Sequence, residues 1–212
     1  MCFSATASFT AGVALSVIGI ATLRLVKRPA EFPMAMIPFL FSLQQVSEGL
    51  VWLNLQQATT LASAWLIFFY SLFSHVIWPI FVPFAVGRIE LVPWRKKALW
   101  FCQLVGWLVG LYLLSIIVRF PVKAIVQGGH IAYESPHFYL AQVVTLYLIA
   151  TCVSGLLSSH RFIRAFGAMA LASSLAAYAI HSTTWISVWC FFAAVLSAVI
   201  WWHFRKASAE HR

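Results

Sequence analysis

The chain has 212 residues, 62% of them hydrophobic and 9% charged, with a mean hydropathy of +0.90 and a formal net charge of +9. Soluble domains carry roughly 25% charged residues, so this composition excludes one, and at roughly 20 residues per span the length suits a single transmembrane bundle of about seven helices. The charge does not point to nucleic acid, because the basic residues sit in short clusters between apolar runs, the pattern of loops facing anionic lipid.

In chain order, the apolar runs predict seven transmembrane helices in an all-α fold. The first covers about Ala5 to Val26 and stops at Lys27, Arg28 and Pro29; with no basic segment before it, it reads as a retained anchor and not a cleaved signal. The second covers about Met34 to Leu53. The third, about Leu61 to Val86, carries Pro79 and Pro83, which predict a kink in its second half. The fourth runs from about Ala98 to Val118 and the fifth from about Phe138 to Leu157. The sixth, Phe162 to Ile180, is rich in Ala and Ser, and the seventh covers about Trp185 to Phe204. Helices are expected because an isolated strand leaves its backbone unsatisfied in hydrocarbon.

Basic residues orient the bundle. Of the 14 Lys and Arg, only Arg119 and Lys123 fall on the side that holds the loops after the second, fourth and sixth helices. The positive-inside rule then puts the N-terminus outside, the C-terminus in the cytoplasm and the protein in a bacterial plasma membrane. Trp52, Trp65 and Trp185 fall near outer helix ends, and Trp94, Trp100, Trp201 and Trp202 near inner ends, where indoles favour the interface; Trp78, Trp107 and Trp189 lie deeper and read as packing residues. Gly106 and Gly110 form a GxxxG step, and Ala168 and Ala172 offer a small-residue face on the sixth helix. Both are expected to pack within the chain. Cys102, Cys152 and Cys190 lack CxxC spacing and read as small buried hydrophobes.

Among residues able to carry chemistry, Glu48 stands first. It is the only acidic residue inside a predicted span, where an ionised side chain costs at least ~2.5 kcal/mol. Gln45, Glu48 and Trp52 share a helix face, some six residues, or roughly 9 Å, below the outer boundary. Glu48 is expected to act as ligand, proton carrier or general base. His75, on one face with Ser71 and Trp78, reads either as a neutral core histidine or as a cofactor ligand. Its Ser71-x3-His75 spacing is similar to that of zinc-dependent membrane hydrolases, but the chain has no Asp to complete their site. On the outer side, His130, Glu134 and His137 would align on a helix, although Gly128, Gly129 and Pro136 predict a turn or re-entrant segment. His181 ends the sixth helix on one face with Ser174 and Tyr178. Cys2, if Met1 is removed, would join an amine and a thiol into a chelate or a nucleophile–base pair.

The opening Met1-Cys2-Phe3-Ser4-Ala5, the segment Gln44-Gln45-x2-Glu48-Gly49-x2-Trp52, Trp78-Pro79-x3-Val82-Pro83 and Trp189-Cys190-Phe191-Phe192-Ala193-Ala194 together resemble an uncharacterised bacterial family of small multispanning membrane proteins. The resemblance implies the fold and the membrane location and carries no activity. Three functional readings follow from the residues. The first is an outward-facing intramembrane site with Glu48 at its floor and Cys2, His130, His137 and His181 at its mouth. It would bind Zn or Cu and, if an enzyme, act on a small or lipid-like substrate through Glu48 and Cys2. The second is a proton-coupled small-solute transporter using Glu48 and His75. The third is a haem-binding or sensory protein using His75.

Overall fold

The computed structural model describes residues 4–55, 61–136, 140–180 and 182–209; Cys2, His137 and His181 lie outside them. Seven helical rods run through the described residues. The first is Ala5–Leu23, started by Ser4, whose hydroxyl accepts the Ala7 amide at 3.2 Å and so satisfies an end donor. The second is Phe32–Leu55, the third spans residues 61–89, the fourth is Pro93–Arg119, and the fifth Ala141–Leu156. The sixth is Arg161–Ile180, and the seventh begins at Trp185 and continues past a turn at Ser197. Five of these are long and apolar enough to cross a membrane. The second has 24 residues, enough to span, but Gln44, Gln45, Ser47 and Glu48 lower its apolarity. The fifth is shorter than its predicted run.

The bundle is apolar on its outer surface as well as in its core, and its core also holds a polar cluster. Leu104, Leu108 and Leu111 are exposed on the fourth helix while Gln44, Gln45, Glu48, Ser71, Ser74 and His75 are buried. Apolar surface of that extent is stable only in lipid, so the chain is a helical membrane protein.

Consecutive helices pack where small residues let backbones meet. A Cβ on Gly12 would lie 2.8 Å from Val46, and one on Gly19 2.8 Å from the backbone of Phe39, which closes the first helix onto the second. Ser16 and Ser42 join the same pair, hydroxyl to hydroxyl at 2.5 Å. The GxxxG step packs within the chain as expected. A Cβ on Gly106 would run into the Pro79 carbonyl oxygen, and one on Gly110 would lie 2.8 Å from Ile80. That carbonyl lacks its regular helical donor because Pro83, four residues on, has no N–H to donate to it. The sixth helix meets the fifth through Gly167 against Gly155. Of the small residues expected to pack there, the neighbouring Gly167 makes the contact, while Ala168 and Ala172 are exposed.

Two helices widen into π turns. In the third, Leu72–Ile77 is π-helical immediately before Pro79, where the sequence predicts a kink. In the fifth, Ile149–Val153 is π-helical, with no sequence signal for it. A π turn leaves carbonyls off the regular ladder, and Tyr147 of the fifth helix donates its hydroxyl to the Ser74 carbonyl at 2.6 Å.

The fold is all-α, as expected, and carries one hairpin in the loop after the fourth helix, where the sequence predicts a turn or re-entrant segment. Lys123–Gln127 and His130–Glu134 form an antiparallel hairpin, β1 and β2, with Gln127 opposite His130. Gly128 and Gly129 have φ of 57° and 79°, the pair of left-handed residues that a two-residue hairpin turn requires. The turn was legible and the strands were not. β2 is buried from His130 to Tyr133 and enters the end of the bundle, where Tyr133 stacks on Tyr70 at 4.3 Å. This hairpin end stands opposite a basic end. There Glu90 accepts the Ser159 amide at 2.6 Å, and Arg95 donates to the Leu157 and Ser158 carbonyls at 3.1 and 2.7 Å, tying two loops together.

Candidate functional site

The polar residues of the second helix recur three and four apart, so one face carries Gln44, Gln45, Glu48 and Trp52 inward. Each meets a different neighbour. Gln44 Oε1 accepts the Trp78 indole N–H at 2.6 Å, and Trp78 stacks on Phe41 at 3.9 Å. Glu48, 0% exposed, accepts the Ser187 hydroxyl at 3.0 Å from the seventh helix. The Cys190 thiol lies beside Gln44, Glu48 and Tyr70. The site thus joins the second, third and seventh helices.

This cluster keeps unused hydrogen-bonding capacity. Both polar atoms of the Gln45 amide and Trp52 Nε1 are buried and make no hydrogen bond to any described residue, while the Gln44 amide bonds the Cys190 thiol. An unmade hydrogen bond on a buried polar group costs about 1–3 kcal/mol. The Gln45 amide and the Trp52 indole thus keep donors and an acceptor to spare on the helix face that carries the buried Glu48 carboxyl.

His75 lies deeper, inside the π turn. Its Nδ1 is 2.8 Å from the Ser74 hydroxyl, and the Ser71 backbone also bonds the ring, so its own helix holds it in place. Beyond it is a small apolar cavity of about 30 Å³ between Phe41, Tyr147, Cys152, Phe166, Trp189 and Cys190.

The predicted site residues therefore divide. Glu48, Gln45 and Trp52 do share one buried face. His130 is buried in β2, but among the described residues no three His, Cys, Asp or Glu side chains come together to hold a metal ion. The metal set of Cys2, Glu48, His130, His137 and His181 is thus supported at no described position as a cluster. Nor does Glu48 form the floor of an open mouth. The large cleft at the hairpin end, about 760 Å³, is bounded by Tyr133, Ser174 and Trp185, and Glu48 itself is sealed. Glu48 is closed in by the Ser187 hydroxyl and the Cys190 thiol of the seventh helix.

Sequence reading missed Ser187 and Cys190 as neighbours of Glu48, since contacts across 139 residues leave no local pattern. It also misplaced three tryptophans. Trp52 and Trp185 are core residues and not interface anchors, and Trp107 is 47% exposed, facing outward where packing was expected. Trp185 and Trp189, four apart, stack at 5.4 Å and donate to the Ser174 and Ala170 carbonyls at 3.0 and 2.9 Å. That two-rung contact fixes the seventh helix against the sixth and so sets Ser187 and Cys190 toward Glu48.

The basic end shows a contrasting arrangement. Burial opposes ionisation of Glu90, but the amides of Ser159, Val92 and Leu91 outweigh it and hold the carboxyl below its ordinary value. Glu31 behaves alike: burial is overcome by the Lys27 amide and by Arg28, whose Nε donates to it at 2.8 Å. Such carboxylates serve as loop staples.

Fold and site together define a helical membrane protein with a sealed polar cluster in its core. The whole chain, residues 1–212, matches a family of unknown function, DUF6629, and belongs to it. No curated protein and no solved structure matches it.

Proposed function

We propose that the chain is a bacterial plasma-membrane protein of seven spans, N-terminus outside and C-terminus in the cytoplasm, that binds a small polar solute at Glu48 and exchanges a proton there. The concentration of Lys and Arg at one end of the bundle supports the orientation. The observation that carries the site is the unused amide and indole capacity of Gln45 and Trp52 beside a buried carboxyl. In hydrocarbon such groups are retained where they serve a ligand or ion path. Gln45 offers both donor and acceptor, Trp52 offers a donor, and Glu48, fixed by Ser187, accepts or holds the proton. His75 is the deeper station of the same path.

A hydrophobic carbodiimide, which reacts with protonated carboxyls in the membrane, tests this. Glu48 should be labelled in membranes, less so as pH rises, and the site's solute should protect it in proteoliposome uptake assays. Wild-type labelling equal to that of Glu48→Gln would overturn the reading.

A second reading, a Zn or Cu site, rests on the Cys190 thiol beside Glu48, which brings a sulfur and an oxygen donor together. Elemental analysis decides it: stoichiometric metal that is lost in both Glu48→Gln and Cys190→Ser supports it, and equal metal in all three proteins removes it. An optical spectrum of the same sample tests for haem at His75, whose signature is a Soret band.

A further inference from the structure

The cleft at the hairpin end is separate from the Glu48 cluster and has a different chemistry. One wall is β2, with Ala132 and Tyr133; the other is formed by Val144 and Leu148 of the fifth helix and Leu175 of the sixth. Leu175 is 59% exposed, and Leu146 and Ile180 beside it are exposed as well. The apolar lining is therefore continuous with the outer face of the bundle, and hydrocarbon reaches it sideways. Its volume, about 760 Å³, lies in the range of ~300–1,000 Å³ typical of small-ligand sites.

At Glu134 this cleft meets a second cavity of about 550 Å³, lined by Phe120, Lys123, Glu134 and Ser135. Here the chemistry turns polar. Lys123 and Glu134 are register partners across the hairpin, which puts opposite charges side by side on one face. Yet no ion pair joins them among the described residues; the one present there is Arg28–Glu31. Ser135, next to Glu134 and lining the same cavity, is 7% exposed, and its hydroxyl makes no hydrogen bond to any described residue. A cation, an anion and a buried hydroxyl thus stand unspent at the mouth of an apolar slot.

We propose that this pair of cavities binds a membrane phosphatidylethanolamine. One acyl chain lies along Val144, Leu148 and Leu175, the phosphate accepts from Ser135 and Lys123, and the ammonium faces the Glu134 carboxylate. A zwitterionic headgroup matches both charges, whereas an anionic one would meet Glu134 unfavourably. The hairpin then has a role beyond covering the bundle: it presents a lipid-headgroup site at the membrane boundary.

Native mass spectrometry of the full chain from nanodiscs with equal mole fractions of phosphatidylethanolamine and phosphatidylglycerol tests this. Wild type should retain phosphatidylethanolamine at least fivefold over phosphatidylglycerol. Leu175→Trp, at an exposed position, should fill the slot and abolish retention; Ser135→Ala should reduce it severalfold; Glu134→Lys should turn the preference toward phosphatidylglycerol. A circular dichroism melt confirms that each variant is folded, and Ser135→Ala, the smallest change, decides if another is not. Equal retention of the two lipids, or undiminished retention in Leu175→Trp and Ser135→Ala, would overturn the proposal. So would displacement by glycerophosphoethanolamine alone, which would assign the binding to the headgroup without a chain. Glu48→Gln should leave all of these values unchanged, so the two sites succeed or fail separately.

Discussion

Glu48 and Glu90 are both fully buried, at 0% and 1% exposure, and they are buried for opposite reasons. Glu90 sits at the basic end with both oxygens used: three backbone amides from two loops converge on it. Its neighbourhood is complete, and its work is to hold residues 90–92 against Ser159. Glu48 sits among side chains from three helices, and the groups beside it still have hydrogen bonds to make. A carboxylate whose surroundings are satisfied is a structural part; one whose surroundings are not is where a ligand is to be expected.

Four experiments sharpen or break this contrast. The largest effect belongs to the frame that keeps the two regions apart. Gly106→Ala drives a methyl onto the Pro79 carbonyl, and backbone cannot yield as a flexible side chain can. A loss of about 3 kcal/mol or more is expected, read as a collapse of the thermal midpoint in detergent; an unchanged midpoint would mean that the third and fourth helices do not pack here. Next, Glu90→Ala strands the Ser159, Leu91 and Val92 amides and should cost about 2 kcal/mol, also measured by thermal melting.

The third is a pH effect. Glu90 is held below its unfolded value, so its stabilisation is present at neutral pH and is lost as pH falls from ordinary carboxylate range through the folded value. Wild type should lose stability below about pH 4.5, and Glu90→Gln should show a shallower acid limb; identical acid limbs would contradict the staple. The smallest effect is expected at Glu48. Glu48→Gln keeps an oxygen for the Ser187 hydroxyl, so stability should change by less than about 1 kcal/mol while carbodiimide labelling disappears. If this variant melts as early as Glu90→Ala, Glu48 is a staple too and the contrast fails.

These outcomes bear on features unequally legible in the sequence. The apolar runs, the Pro79 disturbance and the Gly106 contact could be read because each has a local cause: a repeat length, a missing N–H, a missing side chain. The shared face of Gln45, Glu48 and Trp52 is equally local, set by helical spacing. Ser187, Cys190 and Tyr70 reach the same cluster only through packing between distant helices, and nothing in their neighbours announces it. The hairpin was half legible, because Gly128-Gly129 signals a turn while the strands beside it carry an apolar pattern equally suited to a helix end. The tryptophans show the limit of position alone. Trp52 and Trp185 stand near helix ends as interface residues do, and only the helices packed around them make them core.

The π turn at Leu72–Ile77 amounts to one surplus residue in an otherwise regular screw. Each residue added to such a screw turns everything after it by about 100°. Trp78 finds Gln44, and Pro79 finds Gly106, on the far side of that surplus. A π turn takes up that surplus by widening locally, so a chain shortened by a single residue within this segment should relax to a regular α-helix and leave both contacts aimed as they are. A further residue inserted there would instead turn both about 100° astray, so the third helix holds one residue in reserve and tolerates loss better than gain.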